Sequence, residues 1–151
     1  MIVWRITKKK HALDRSGFGA MKVGGRWNSI DVPIIYAGMN VEIAALEKLV
    51  HISSEFPDDL VLTSIGLPDD ATLYWEVPLS ALPEGWSDMP SSTVAQQFGN
   101  DFIDAGRYLG IIVPSAVIPE GRNMLINPNH PQFTQAEYSV VRDFNYDDRL
   151  K

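Results

Sequence analysis

Short runs of strand-forming residues recur along the chain and most constrain its fold. They are separated by segments rich in glycine, proline and aspartate, which favour turns. We predict strands at Ile2–Ile6, Pro33–Ala37, Leu60–Leu67, Thr72–Val77, Leu109–Val113, Asn123–Ile126 and Tyr138–Phe144. Many strands with few helices predict an α+β fold built on antiparallel sheet.

Two segments have the pattern of helices. Asn40 is a good N-cap for a helix over residues 41–51, and Ser92 caps a second that ends near Gly106. On the first helix, Ile43, Leu46 and Val50 share the predicted core face, and Glu47 lies beside it. Residues 11–25, which contain four of the glycines, are predicted to form a loop.

Composition limits the kind of protein. The 151 residues contain no internal repeat or linker, so we expect one domain over residues 1–151. The absence of cysteine excludes disulfide scaffolds and thiol nucleophiles and is compatible with a reducing cytoplasm, the expected location. A net charge of −6 disfavours direct nucleic-acid binding. No stretch has the length of a membrane span, and the three histidines lack metal-ligand spacing, so we expect no membrane association and no metal.

Three residues in order offer the chemistry that a dinucleotide would need. Arg26, after two glycines, presents a planar fork for phosphate, or else extends over Trp27. Tyr36 ends an apolar strand and either stacks on a ligand ring or fills the core. Glu47 lies among apolar neighbours, so its carboxylate is either paired structurally or functional.

A second block lies further along the chain. Ser115 follows a buried strand but has no nucleophile-elbow glycines around it, which favours hydrogen bonding to a ligand or to Glu47 over nucleophilic attack. Asn123 and Asn127 follow closely, and we expect them to brace the local loop. Arg5 is either a second phosphate contact or an edge-strand charge. No phosphate-binding glycine motif of the P-loop or Rossmann type is present.

These motifs together resemble the RES domain family, named for an Arg, a Glu and a Ser that correspond here to Arg26, Glu47 and Ser115. The resemblance runs from about Trp4 to Phe144. It rests on the segments Gly25-Arg26-Trp27-Asn28, Ile35-Tyr36-Ala37, Ala45-Leu46-Glu47, Val113-Pro114-Ser115 and Asn123-Met124-Leu125-Ile126-Asn127-Pro128. Relatives often carry glycine shortly after the Arg-Trp-Asn run, where this chain has Ser29-Ile30-Asp31.

The resemblance implies an ADP-ribosyltransferase-like core of antiparallel β-sheets with flanking helices. It implies a bacterial toxin that depletes NAD by phosphorolysis or hydrolysis of the nicotinamide–ribose bond, with NAD as substrate, phosphate as an optional co-substrate and no bound cofactor. A protein ADP-ribosyltransferase and a silent module that binds a DNA-binding antitoxin remain alternatives. The implied partner is an Xre-like helix-turn-helix antitoxin, with a toxin homodimer inside the complex as one expected assembly. The expected catalytic residues are Arg26, Tyr36 and Glu47, and the expected NAD-binding residues are Arg5, Arg26, Trp27, Tyr36, Ser115 and Asn123.

Overall fold

The fold is one seven-stranded sheet with three α-helices, described here from a computed structural model over residues 1–150. The strands are β1 (Ile2–Lys8), β2 (Ile35–Gly38), β3 (Leu60–Gly66), β4 (Tyr74–Glu76), β5 (Gly110–Pro114), β6 (Arg122–Ile126) and β7 (Glu137–Asp143). The helices are α1 (Phe18–Val23), α2 (Val41–Leu49) and α3 (Thr93–Ala105). The α+β class expected from the sequence is therefore confirmed.

The strands lie in the order β4-β5-β6-β2-β1-β3-β7. All neighbours are antiparallel except β4 and β5, which are parallel because the chain between them crosses over through α3. Only one residue pair, Trp4 with Gly38, joins β1 to β2, whereas β1 and β3 pair along their full lengths. The sheet is thus nearly divided between β2 and β1.

Helices α2 and α3 cover the same side of the sheet, which we call the helix face. Ala95 and Phe102 of α3 pack with Ile111 and Leu125, and Ala44 of α2 packs with strand residues of β1 and β3. The opposite face holds a separate core around Val3, Ile35, Ile65, Met124, Ile126 and Phe133. Both faces of the central strands are therefore buried, which explains their nearly continuous apolar sequences.

The predicted helix caps are confirmed. The Asn40 side chain accepts a hydrogen bond from the Ile43 N–H at 2.8 Å, and Ser92 accepts one from Ala95 at 3.1 Å. Helix α3 ends at Gly106, whose φ of 61° is the left-handed conformation that glycine adopts easily. None of the three helices is long and apolar enough to cross a membrane within residues 1–150.

Two local predictions are wrong. Residues 11–25 contain the short helix α1, which begins after Gly17 in a left-handed conformation and is too short to show apolar periodicity. Val50, predicted to face the core, is 52% exposed because α2 ends at Leu49. The loop after Asn28 also has a clear geometry: Asp31 takes a φ of 75°, the conformation that glycine provides at low cost.

Candidate functional site

The hairpin Gly24–Asn28 is anchored by the buried side chain of Asn28. Gly25 N–H donates to the Asn28 carbonyl at 2.9 Å and closes the hairpin. The Asn28 amide nitrogen donates to the backbone carbonyls of Ala20, Ser29 and Val32. These three acceptors fix which way the amide points, so its oxygen must face Tyr36.

The Tyr36 hydroxyl makes two hydrogen bonds to this hairpin, one as donor and one as acceptor. It donates to Asn28 Oδ1 at 2.6 Å and accepts from the Trp27 N–H at 3.0 Å. Burial raises the pKa of Tyr36 well above its usual range, against smaller lowering effects of the Trp27 N–H and the Arg26 charge. The hydroxyl therefore stays protonated at neutral pH and holds the ring in place, which leaves the ring as the part of Tyr36 able to contact a ligand.

Glycine is required at position 25 by this arrangement. A Cβ atom there would lie 2.7 Å from the Tyr36 hydroxyl and 2.9 Å from Asn28 Oδ1. Both distances are shorter than ordinary van der Waals contact. The glycine before Arg26 thus permits the close approach of hairpin and strand.

Arg26 is held by the segment Pro83–Pro90. One guanidinium nitrogen, Nη1, donates to the carbonyls of Trp86 at 2.9 Å and Asp88 at 3.0 Å. The other, Nη2, contacts Met89 Sδ at 3.1 Å. A guanidinium has five N–H groups. Within residues 1–150 no hydrogen bond from Nε is found, so Nε and one hydrogen of Nη2 remain for a ligand.

Glu47 on α2 is paired with two side chains from the other block of the sequence. Its Oε1 accepts from Ser115 Oγ at 2.7 Å and from Asn123 Nδ2 at 2.6 Å. Ser115 Oγ in turn accepts from the backbone N–H groups of Val117 and Ile118. Within residues 1–150, no hydrogen bond reaches Glu47 Oε2. The carboxylate is thus oriented through one oxygen, and the other is available for chemistry.

Sheet register places Tyr36 beside the Glu47 cluster. On the neighbouring strands β2 and β6, Tyr36 pairs with Leu125 and Gly38 pairs with Asn123. Because side chains two positions apart share a face, Tyr36 and Asn123 are diagonal neighbours on the helix face. Arg26 is close enough for its charge to lower the pKa of Tyr36. The structure therefore brings Arg26, Tyr36, Glu47, Ser115 and Asn123 into one region.

Three of the residues singled out in the sequence do not direct a side chain to this group. Arg5 points to the opposite face, since its strand neighbours Trp4 and Ile6 pack with α2 and alternate residues change face. Trp27 is 3% exposed and stacks on Trp86 with ring centres 5.7 Å apart, so its ring belongs to the core. Asn127 braces its loop, as expected, by accepting from the Asn129 N–H at 2.9 Å, whereas Asn123 does not brace a loop and holds Glu47.

Sequence reasoning missed two parts of this region. Asn28 was recognised as part of the motif, but its role in fixing Tyr36 has no sequence signal beyond a polar residue next to a buried tryptophan. The Pro83–Pro90 segment binds Arg26 mainly through backbone carbonyls, which every residue type carries. No local sequence pattern predicts such contacts.

Two surface depressions, of about 320 and 390 Å³, lie away from these residues. The first is lined by Asp31, Asp101 and Asp104 together with neutral residues, and the second includes Asp69 and Glu137. The Met1 ammonium, which pairs with Asp69, also lines the second. Linings with a net negative charge repel the phosphates of a dinucleotide. We therefore locate the candidate site by its cation and oriented carboxylate and not by the size of the depressions. Within residues 1–150 there is also no group of three or more His, Asp or Glu suited to a metal ion.

Comparisons with known proteins agree with these motifs. The RES domain model matches residues 2–148. "Toxin Res" of Pseudomonas putida (strain KT2440) is 40% identical, covering 99% of this chain and 99% of the relative. "Prs ADP-ribosylating toxin" of Sphingobium sp. (strain YBL2) is 38% identical, covering 97% of this chain and 94% of the relative.

A solved structure has the same fold. The crystal structure of the M. tuberculosis MbcT–MbcA toxin–antitoxin complex contains a chain that superposes with a TM-score of 0.66, covering 93% of this chain and 84% of that chain. At 20% identity this similarity concerns the fold alone. The family match over nearly the whole chain, the two full-length relatives and the shared fold lead to one conclusion: this chain belongs to the RES domain family.

Proposed function

We propose that this protein is the toxin of a toxin–antitoxin pair and breaks the bond between nicotinamide and ribose in NAD. The observation that carries the proposal is the Glu47 carboxylate, oriented through Oε1 by Ser115 and Asn123 with Oε2 left open. The names of both relatives support a toxin. The name "Prs ADP-ribosylating toxin" also supports chemistry on a donor of ADP-ribose.

Cleavage of the nicotinamide–ribose bond is favoured by a fixed negative charge beside the ribose. When the carbon–nitrogen bond breaks, its electron pair leaves with nicotinamide, and the ribose carbon becomes an oxocarbenium-like cation. Glu47 Oε2 would stabilise that cation. Water then bonds to the same carbon through its oxygen and releases a proton to solvent, or a phosphate oxyanion bonds there through an unprotonated oxygen with no proton to release. A carboxylate that is already oriented needs no reorganisation during the reaction.

Tyr36 and Arg26 would position the substrate. The Tyr36 ring, fixed through its hydroxyl, offers a flat surface on which nicotinamide can stack. The remaining Nε and Nη2 hydrogens of Arg26 can donate to phosphate oxygens. The carbonyls of Trp86 and Asp88 hold the guanidinium so that less entropy is lost on binding.

Ser115 has a supporting role in this scheme. Its one hydroxyl hydrogen is directed to Glu47, and two backbone N–H groups occupy its acceptor side. A serine held in this way is poorly placed to act as a nucleophile. The predicted hydrogen bonding to Glu47 therefore fits the geometry better than attack on the substrate.

A second candidate function is transfer of ADP-ribose to a protein. The name of the Sphingobium relative favours it, and its first step, departure of nicotinamide, uses the same residues. Only the acceptor differs: a protein side chain replaces water or phosphate. A third candidate is a catalytically silent module, which would not explain why the Glu47 carboxylate is oriented with one oxygen open.

We propose that an antitoxin controls the activity, and the solved relative in complex with its antitoxin supports such a partner. We propose that the partner is of the Xre-like helix-turn-helix type and covers the cleft near Arg26 and Tyr36. Because this chain carries a net charge of −6, contacts to operator DNA should come from the partner. The toxin alone should fail to shift operator DNA in a gel, the complex should shift it, and the antitoxin should compete with NAD. Toxin alone binding DNA would contradict this part.

One experiment separates the three functions. Purified protein is incubated with NAD in three arms: buffer, buffer with phosphate, and cell lysate with NAD labelled in its adenosine part. Free nicotinamide without labelled protein supports NAD degradation, and the phosphate arm distinguishes phosphorolysis from hydrolysis. Labelled protein bands support ADP-ribosylation. Unchanged NAD in all arms would refute both enzymatic proposals.

A further inference from the structure

One face of helix α3 holds the backbone on both sides of Arg26. Gln96 Nε2 donates to the Gly25 carbonyl oxygen at 3.0 Å. Asn100 uses both ends of its amide on Ser29: Oδ1 accepts from the Ser29 N–H at 3.0 Å, and Nδ2 donates to Ser29 Oγ at 2.8 Å. Residues four apart lie on the same side of a helix. Gln96 and Asn100 therefore act together, one just before Arg26 and the other shortly after it.

Gly99 of the same helix allows α3 to approach the hairpin closely. It is buried. A Cβ atom at this position would overlap the Trp27 carbonyl oxygen and lie 2.7 Å from the Trp27 carbonyl carbon, closer than real Cβ atoms come. Glycine is therefore required here, and helix and hairpin meet in backbone contact. Such close packing leaves the hairpin little room to shift against α3.

Helix α3 also holds the segment that binds the Arg26 guanidinium. Its N-cap, Ser92, donates through Oγ to the Gly85 carbonyl oxygen at 2.7 Å while it accepts from the Ala95 N–H. Gly85 directly precedes Trp86, whose carbonyl oxygen accepts from Arg26 Nη1. The helix is thus joined to Arg26 in two ways, through the hairpin backbone and through the segment that carries the acceptors of the guanidinium.

This double attachment matters for the binding of a phosphate. A long arginine side chain can adopt many rotamers, and fixing it when a ligand binds costs free energy. Contacts to the backbone on each side of Arg26 fix where its side chain begins, and the carbonyl acceptors fix where its guanidinium lies. One helix that supports both therefore determines where the phosphate can bind.

We propose that Gln96 and Asn100 are positioning residues for NAD that act through Arg26 without touching the substrate. This inference rests on the proposed function, because it takes the Arg26 guanidinium to bind a phosphate of NAD. The phosphates are remote from the bond that breaks, so a misplaced guanidinium weakens the binding of the substrate and of the transition state equally. Such a loss raises KM and leaves kcat unchanged.

Steady-state kinetics with NAD test this role. Gln96→Met keeps the length of the side chain and removes the donor to Gly25, and Asn100→Leu removes both bonds to Ser29. We expect each variant to raise the KM for NAD by about three- to tenfold, the size of one lost hydrogen bond, with kcat near that of the wild type. Ser29→Ala removes only one of the two bonds to Asn100 and should have a smaller effect.

Gln97→Met is the matched control. Gln97 is the next residue of α3, is exposed, and donates to Asp101 on the same helix. Its KM and kcat should both equal those of the wild type. A variant that merely contains fewer folded molecules would show a lower kcat at the wild-type KM, so the two constants separate positioning from loss of stability.

A second measurement does not depend on NAD. The Nε–H group of Arg26 is followed by NMR in ¹⁵N-labelled protein without substrate, because its order parameter reports how tightly the guanidinium is held. The wild type and Gln97→Met should give a high order parameter. Gln96→Met and Asn100→Leu should give a lower one.

Three results would overturn the positioning role while leaving NAD cleavage in place: an unchanged KM in both Gln96→Met and Asn100→Leu, a fall in kcat without a rise in KM, or an unchanged order parameter of Arg26. If the wild type and Gln97→Met leave NAD unchanged, the proposed function fails, and with it the assignment of NAD. The order parameters then decide separately whether α3 fixes Arg26. If Asn100→Leu fails to fold, Gln96→Met carries the same test.

Discussion

Glu47 and Tyr36 lie side by side in the candidate site but are held in different ways. Two side chains orient Glu47 through one oxygen, and its second oxygen has no partner within residues 1–150. Tyr36 instead has both hydrogen-bonding roles of its hydroxyl filled by the hairpin. The comparison shows that a polar group can serve a site in two ways. Glu47 is fixed and left open to react, whereas Tyr36 uses its polar atom to place an apolar ring.

The largest effect should follow from Glu47→Gln. Glutamine keeps an oxygen that can accept from Ser115 and Asn123 but removes the negative charge. We expect NAD cleavage and toxicity to fall by at least about 100-fold, as for the loss of one strong electrostatic group. The melting temperature should stay near that of the wild type or rise. Release of nicotinamide, followed by chromatography, provides the measurement.

Glu42→Gln, on the exposed first turn of the same helix, is the matched control and should retain full activity. A Glu47→Gln enzyme that cleaves NAD at nearly the wild-type rate would show that the open carboxylate oxygen has no part in the reaction.

Arg26→Lys should raise the KM for NAD by about tenfold or more, because an ammonium cannot offer a planar fork. The change also leaves the carbonyls of Trp86 and Asp88 with fewer donors. Steady-state kinetics measure the effect, with Arg107→Lys at a surface position as control. An unchanged KM would make Arg26 a structural brace for the Pro83–Pro90 segment.

Gly25→Ala tests how tightly the Gly24–Asn28 hairpin packs against Tyr36. The added methyl would meet the Tyr36 hydroxyl at 2.7 Å, so we expect a loss of about 1–3 kcal/mol in the free energy of unfolding. Chemical denaturation measures it. Adding Tyr36→Phe should recover part of the loss by removing the atom in closest contact. Independent, additive effects of the two changes would contradict the packing described here.

The smallest effect is a pH dependence that belongs to Tyr36. Burial raises its pKa in the folded state. The contribution of the Tyr36 hydroxyl to the free energy of unfolding is therefore fully present below the ordinary phenol pKa of about 10. It is lost as the pH rises toward the higher folded-state pKa.

At pH 7 the free energy of unfolding of the wild type should therefore exceed that of Tyr36→Phe. This difference in free energy should narrow above about pH 10 by up to about 1.4 kcal/mol per pH unit. Tyr74 and Tyr146, whose pKa values burial raises to about 12, contribute equally to both proteins. Denaturation between pH 7 and 11 measures the difference. A constant difference would mean that the Tyr36 hydroxyl is not buried as described.

The sequence predicted local features well because their causes are local. The side chains of Asn40 and Ser92 cap the first turns that follow them, and these caps can be recognised from a few residues. The α+β class was likewise predictable from the number and length of the strands. The order of the strands depends on packing between distant segments and could not be read from the chain.

The candidate site likewise has features that the sequence predicted and features that depend on distant contacts and were not predicted. The resemblance singled out Arg26, Glu47 and Ser115, and the structure joins Glu47 to Ser115 across 68 positions. It could not show that Arg5 faces away, because the face of a strand residue is fixed by the register with its neighbours. Nor could it show that backbone carbonyls of a distant segment hold Arg26. The features that the sequence did not predict thus depend on pairing between distant strands and on main-chain contacts.

The most direct test of the central claim is a crystal structure of Glu47→Gln soaked with NAD. We expect nicotinamide stacked on the Tyr36 ring, a phosphate on the Nε and Nη2 hydrogens of Arg26, and the ribose carbon of the scissile bond beside the glutamine amide that replaces the Glu47 carboxylate. NAD bound away from Arg26 and Tyr36, or bound with its nicotinamide–ribose bond far from position 47, would contradict the central claim.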